Sequence, residues 1–276
     1  MAPESVPRTE PLRLLAVFAH PDDETLGLGG VLARYAAEGV ETHLVTATRG
    51  EGGRFRGLKE GPGHPGREKL AAIREAELNA AASVLGIRSV TMLGYQDGRL
   101  DQADPREATS RIADVIRRLR PQVVVTFPPD GGYGHPDHIA ICQLATAGVV
   151  AAASFPPAPH APHAVSKLYY FVSSRPYMQA YQAAFKKLTS LVDGVEREAQ
   201  FWPDWMITTV IDTREHWERV QRAVDCHDSQ VAGYEALRKL GPEHREALWG
   251  RKEFYRVLSL VNGGRARETD LFEGLR

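Results

Sequence analysis

The chain has 276 residues, 43% hydrophobic and 25% charged, which excludes a disordered, collagenous or coiled-coil protein and leaves enough apolar material for a large core. Lys plus Arg number 34 and Asp plus Glu 35, a net charge of -1 that removes the electrostatic reason to expect nucleic acid or an anionic membrane as partner. Cys142 and Cys226 form no CxxC, so neither a disulfide framework nor a thiolate metal site is expected, and a reducing cytoplasm is the default.

The first residues carry Pro and acids where a signal peptide needs basic residues. Residues 12–19, LRLLAVFA, are too short an apolar run to span a bilayer and predict a buried strand. Apolar residues at helical spacing over 25–40 predict a helix closing at Gly39. A second strand, THLVTATRG, leads into a glycine-rich basic loop, and a long helix follows from about 68 to 85, ending at Gly86. SVTMLGY is a third strand, residues 107–119 a helix, QVVVTFPP (122–129) a fourth strand, and 137–152 a further helix. Beyond the Pro/Ala-rich loop at 154–163 come two strand candidates, VSKLYYFV and MITTVID, then helices from 213 to about 256 and a surface tail that docks back. Strands alternating with helices of ten or more residues imply right-handed βαβ units. The expected fold is a doubly wound, Rossmann-like α/β domain with a mainly parallel sheet and helices on both faces. One domain is expected over 1–276, with a core at about 12–230 and a C-terminal helical extension over 231–276.

Ligands of such sheets sit beyond the carboxyl ends of the strands, where strand order reverses. HPDDE (His20–Glu24) lies at one predicted strand end and HPDH (His135–His138) beyond another. Each motif alone reads as a helix start, because Pro suits the first turn, Asp caps, and acids complement the helix dipole. Capping gives no reason, however, for histidine to precede both prolines or to follow Asp137. Imidazole plus carboxylate without thiolate suits a catalytic Zn²⁺ with three protein ligands and an open position. The i, i+3 spacing puts His20 and Asp23 on one side of a turn, and His138 supplies the third ligand. Asp22 is left free as general base for a bound water whose pKa zinc lowers to about 7. His135 is then the proton donor near the carbonyl oxygen or leaving nitrogen, and Asp137 is expected to orient it and raise its pKa.

With TRGEGG after the second strand, IREAELNAAASVLGI on the long helix, LGYQDG after the third strand and HDSQ near 227, the two motifs resemble the PIG-L or LmbE-like zinc-dependent de-N-acetylases, in order, over about residues 12–230. The resemblance implies one Zn²⁺ per chain on His20, Asp23 and His138, with Asp22 as base. It further implies that Tyr133, in the GGYG loop, meets the developing oxyanion, that Arg74 and Asp97 contact sugar hydroxyls, and that His227 closes the pocket. The ordinary alternatives are a loop aromatic for Tyr133, a helix-surface ion pair for Arg74, a turn residue for Asp97 and a packing histidine for His227.

The implied activity is hydrolysis of an N-acetylglucosamine-type acetamide on a small glycoconjugate, with assembly into a homo-oligomer left open. A thiol-conjugate amidase is the near alternative. A dinucleotide oxidoreductase is disfavoured because three acids replace the GxGxxG that would receive a pyrophosphate. A non-catalytic sugar-binding protein of this fold would be expected to lose the base or a ligand, and both are present.

Overall fold

The computed structural model describes residues 10–154, 159–185, 189–192, 194–232, 237, 239–264 and 266–276; part of the Pro/Ala-rich loop, 155–158, lies outside the described residues. β1 (Arg13–Phe18) is buried from Leu14 onward, which is why its sequence is continuously apolar rather than alternating. It pairs in parallel with β2 (Glu41–Thr48) on one side and β4 (Val123–Thr126) on the other. β3 (Ser89–Tyr95) extends the sheet beyond β2, and β5 (Lys167–Val172) extends it beyond β4, both in parallel. The strand order is therefore β3-β2-β1-β4-β5, and it reverses between β1 and β4.

The connecting helices follow their sequence signals. α1 (Asp23–Ala37) starts two residues earlier than its apolar periodicity suggests, and Gly39, at φ +83°, turns the chain after it. α2 (Arg67–Leu85) ends at Gly86 with φ +81°, where the amide of Ile87 donates to the carbonyl of Ala82 at 2.9 Å. α3 (Pro105–Leu119) is capped by Asp104, which accepts from the amides of Arg106 and Glu107, and α4 (Pro136–Ala152) follows β4. α1 and α2 pack with α6 (Trp217–Cys226), and α3 packs with α4.

The C-terminal part departs from expectation. β9 (Arg251–Ser259) enters the sheet antiparallel between β5 and β8 (Thr209–Asp212), where a helix was expected, and the helix before it is only Pro242–Trp249. Its Lys252 and Glu253 resemble a helix surface in sequence, yet both are buried. Lys252 Nζ donates to the Leu248 carbonyl at 2.8 Å and lies 4.6 Å from the centre of the Tyr177 ring, and burial pushes the amine down to about 7. Glu253 accepts the Ser174 amide at 3.0 Å. Between β5 and β8 the chain adds α5 (Arg175–Phe185) and a hairpin of β6 (Thr189–Val192) and β7 (Val195–Glu198), none of which was read from the sequence.

The tail forms part of the core instead of lying on the surface: Leu271 and Phe272 are fully buried, and Glu268 gathers Lys167 Nζ at 2.7 Å, Tyr169 Oη at 2.8 Å, Thr209 Oγ1 at 2.7 Å and Asn262 Nδ2 at 2.7 Å. Burial alone would push this carboxyl up, but the hydrogen bonds from Asn262, Lys167, Thr209 and Tyr169 outweigh it and bring it down to about 2 from the usual 4.5. A depressed carboxyl stabilises above its unfolded pKa, so this stabilisation is present in full above pH 4.5 and is lost as pH falls towards 2. Glu268→Ala strands the fully buried Lys167 ammonium, and denaturant unfolding at pH 7 should show a loss of about 3–5 kcal/mol. An unchanged midpoint would contradict this account of the tail.

Candidate active site

β1 and β4 are neighbours whose following helices leave for different helical groups, so the turns after them open a cleft at the switch point. His20 lies two residues past β1, and the loop 127–135 after β4 ends at His135, the N-cap of α4, whose Nδ1 accepts the Asp137 amide at 3.2 Å. Asp22 occupies the N-cap position of α1 without capping it: its side chain accepts nothing from the helix, and its backbone adopts φ +106°. A non-glycine residue in such a conformation costs of order 1–3 kcal/mol and persists only where its surroundings hold it.

The three expected ligands converge. His20 Nδ1 and His138 Nε2 are 3.2 Å apart, His20 Nδ1 is 3.6 Å from Asp23 Oδ2, and His138 Nε2 is 3.5 Å from Asp23 Oδ1. A tetrahedral ion with bonds of about 2.0–2.1 Å sets its ligands about 3.3 Å apart; the imidazole separation matches that, while Asp23 turns a different oxygen to each ring and its Oδ2 also accepts the His20 amide at 2.8 Å. One ring nitrogen from each of His20, His135 and His138 also lies within 4.8 Å of the others. The far ring nitrogens of His138 and His20 have other partners. His138 Nδ1 donates to the Gly131 carbonyl at 3.1 Å, while His20 Nε2 faces Asp97 Oδ1 at 3.0 Å and Asp137 Oδ2 at 3.1 Å. The Gly131 carbonyl leaves the lone pair of His138 on Nε2, facing His20 Nδ1, which can either donate to it or share a cation with it.

The two imidazoles differ in charge. Burial, helped by His20 and His135 and opposed by Asp23, pushes His138 down to about 3, so this imidazole is neutral as a ligand must be. Burial disfavours charge on His20, yet hydrogen bonds to Asp137, Asp23 and Asp97 outweigh it and hold its pKa well above the ordinary value. Asp23, with burial opposed by His138 and His20, lies below the usual carboxylate range. Burial pushes Asp22 up to about 6 against the pull of Arg74, with Asp23 reinforcing the rise.

Asp137 does part of what was expected of it, pulling the His135 pKa up, but its carboxylate does not hold that ring. Its carboxylate turns to His20 and to the amides of Gly98 at 2.7 Å and Leu100 at 3.0 Å, because His135 uses its own ring nitrogen to take the Asp137 amide. The His135 pKa is accordingly lowered, by burial and the nearby His20, against the opposing pull of Asp137, Asp23 and Asp97. With Nδ1 accepting, the hydrogen of neutral His135 sits on Nε2.

Two cavities meet at this centre. One, of about 460 Å³, is polar and is lined by His20, Asp22, Asp23, Arg74, Asp97 and His135, among others. The other, of about 480 Å³, has Phe127, Phe171, Tyr177, Tyr181 and Trp202 in its wall, and Asp22, Asp23 and Tyr133 belong to both. Arg74 reaches the polar cavity but is committed inward, donating to the carbonyls of Pro21 and Gly50 and, at 3.1 Å, to Asp22 Oδ2. Asp97 lines the polar cavity while accepting the Gly52 amide at 2.8 Å. His227, expected to close the pocket, is buried behind the turn and bonds Glu24 at 3.0 Å; it lines neither cavity. The aromatic wall was missed: its residues come from separate elements and share no motif. Phe127, stacked on the His138 ring with centroids 3.9 Å apart, is the one that proximity to HPDH could have suggested.

Fold and site together define a doubly wound α/β enzyme built around a histidine–carboxylate centre at the switch point. The PIG-L family model, described as GlcNAc-PI de-N-acetylase, matches residues 15–149. A 1D-myo-inositol 2-acetamido-2-deoxy-alpha-D-glucopyranoside deacetylase of Rhodococcus opacus (strain B4) is 40% identical over 242 residues, covering 79% of this chain and 82% of the relative. The chain belongs to the PIG-L family of deacetylases. Among solved structures, 4-carboxy-2-hydroxymuconate hydratase of Pseudomonas putida KT2440 aligns with TM-score 0.68 at 23% identity, covering 92% of this chain and all (100%) of the other. N,N'-diacetylchitobiose deacetylase of Pyrococcus horikoshii aligns with TM-score 0.64 at 19% identity, covering 89% and 83%. At these identities the two structures support the fold alone. Among the described residues, no helix is long and apolar enough to cross a membrane.

Proposed function

We propose that the chain removes the acetyl group from an N-acetylglucosamine-type amide on a small glycoconjugate, using one Zn²⁺ held by His20, Asp23 and His138. The observation that carries this reading is the approach of His20 Nδ1 and His138 Nε2 to 3.2 Å with Asp23 beside both, its Oδ2 3.6 Å from His20 Nδ1 and its Oδ1 3.5 Å from His138 Nε2, next to an Asp22 that belongs to the same cavity wall. When bound, zinc polarises the amide carbonyl and lowers the pKa of a coordinated water to about 7.

The chain's own groups do the rest. Asp22 would take the water's proton and pass it on to the departing nitrogen, while neutral His135, carrying its hydrogen on Nε2, would donate a hydrogen bond to the carbonyl oxygen or the leaving nitrogen. Tyr133, shared by the two cavities, donates to the carbonyl oxygen as it becomes negative. Arg74 and Asp97 meet the sugar in the polar cavity, and the remainder of the conjugate lies against the aromatic wall. Acetate and the free amino sugar leave.

The named activity of the Rhodococcus opacus relative makes the acetylglucosaminyl inositol the first substrate to test. Zinc-loaded protein should release equal amounts of amine and acetate from it, more slowly from other N-acetylglucosaminides, and a chelator should stop release until zinc is restored. Zinc-loaded protein that frees no amine from any member of such a panel would refute the proposal.

A further inference from the structure

The Pro21–Asp22 peptide is held at both ends by buried side chains. Arg74 donates to the Pro21 carbonyl, and the Asp22 amide donates to Glu24 Oε2 at 3.0 Å. Glu24 is itself seated from behind, since its Oε1 accepts from Thr25 Oγ1 at 2.5 Å and from His227 Nε2 at 3.0 Å. Glu24 and His227 are each 1% exposed, and neither lines either of the two cavities at the centre. The Asp22 they hold has φ +106° and ψ -23°, and its carboxylate turns from the helix it precedes towards the cavity wall and Arg74. An aspartate at an N-cap ordinarily takes extended backbone and accepts from the amides two or three residues on. Something must prevent that here, and the Glu24 carboxylate is the group on the Asp22 amide.

We propose that Glu24, seated by His227, is a positioning residue for the general base: by holding the Asp22 amide it keeps φ positive and aims the Asp22 carboxylate at the reacting centre. The proposal rests on Asp22 being the base. It also gives His227 a task one step removed from substrate, in place of closing the pocket. A buried Glu–His pair that merely anchored α1 to the α6 end would affect stability alone. A clamp on the base affects turnover at constant metal content.

The test uses full-length protein, with Glu24→Ala, Glu24→Gln and Asp22→Asn alone and Glu24→Ala combined with Asp22→Asn. Glu24→Ala should lower kcat about 100-fold, the cost of a misplacement of about 1 Å, with KM and one zinc per chain retained. Glu24→Gln keeps a carbonyl for the Asp22 amide, and His227 can switch tautomer to meet the new NH₂, so most of kcat should return. In the Asp22→Asn background, Glu24→Ala should cost nothing further, because the two act as a unit. In metal-free protein labelled with ¹⁵N-aspartate, the Asp22 amide proton should move upfield and exchange faster in Glu24→Ala but not in Glu24→Gln. Wild-type kcat in Glu24→Ala, or an equal loss with and without Asp22→Asn, would overturn the clamp while leaving the base assignment intact. Full activity in Asp22→Asn would instead remove the base assignment, and the clamp with it.

Discussion

Asp22→Asn keeps its zinc and loses about 10²–10⁴-fold in kcat, the range over which a positioned general base contributes. Asparagine is the informative substitution, because it tolerates the positive φ of +106° far better than alanine and so changes basicity without straining the turn. The metal stays because Asp22 is not a corner of the ligand triangle: its Oδ2 accepts from Arg74, while Asp23 faces both imidazoles. KM should move little, since asparagine keeps an oxygen that can accept from Arg74 and Asp97 is untouched. Metal content by elemental analysis and kcat from amine release decide the matter together. A zinc-loaded Asp22→Asn that turns over at the wild-type rate would exclude this residue as the base.

Much of the site was readable because it is built locally. HPDDE supplies two of the three proposed ligands across a single turn, and HPDH supplies the third, at adjacent strand ends. Direction was harder to read than identity. Asp137 follows His135 by two residues, a spacing that suggests orientation of one by the other, but the N-cap geometry of α4 sends the carboxylate to His20. His227 carries a recognisable motif, yet whether a histidine faces a cavity or backs it depends on packing that a motif does not encode.

β9 shows a related failure. Its Lys252 and Glu253 are buried against a helix-end carbonyl, an aromatic ring and a backbone amide, so the polar-out alternation of a strand never appears in the sequence. The aromatic cavity was unreadable for another reason. Phe127, Phe171, Tyr177 and Trp202 are distant in sequence and meet only once β5, α5 and the segment before β8 are in place.

The fold cannot choose the chemistry. A hydratase aligns with this chain at TM-score 0.68 and a deacetylase at 0.64, so the shared architecture serves both names. The functional reading therefore rests on the donor set at the switch point rather than on the architecture. That places the weight of the functional reading on whether this particular cluster binds metal, independently of any substrate.

His138→Ala should therefore abolish metal retention as well as turnover. His138 is held on one side by the Gly131 carbonyl and on the other by the stacked Phe127 ring, which together fix where its Nε2 points. Removing it leaves two protein ligands where a catalytic zinc site uses three. After dialysis against metal-free buffer the variant should hold no zinc and release no amine, while circular dichroism remains that of the wild type. Asp137→Asn makes the graded comparison. It keeps all three ligands but weakens the acceptor that fixes His20, and such outer partners cost about 10–100-fold in metal affinity or activity. A His138→Ala protein that still bound one zinc per chain would place the metal elsewhere. The 3.2 Å approach of the two imidazoles would then need another explanation.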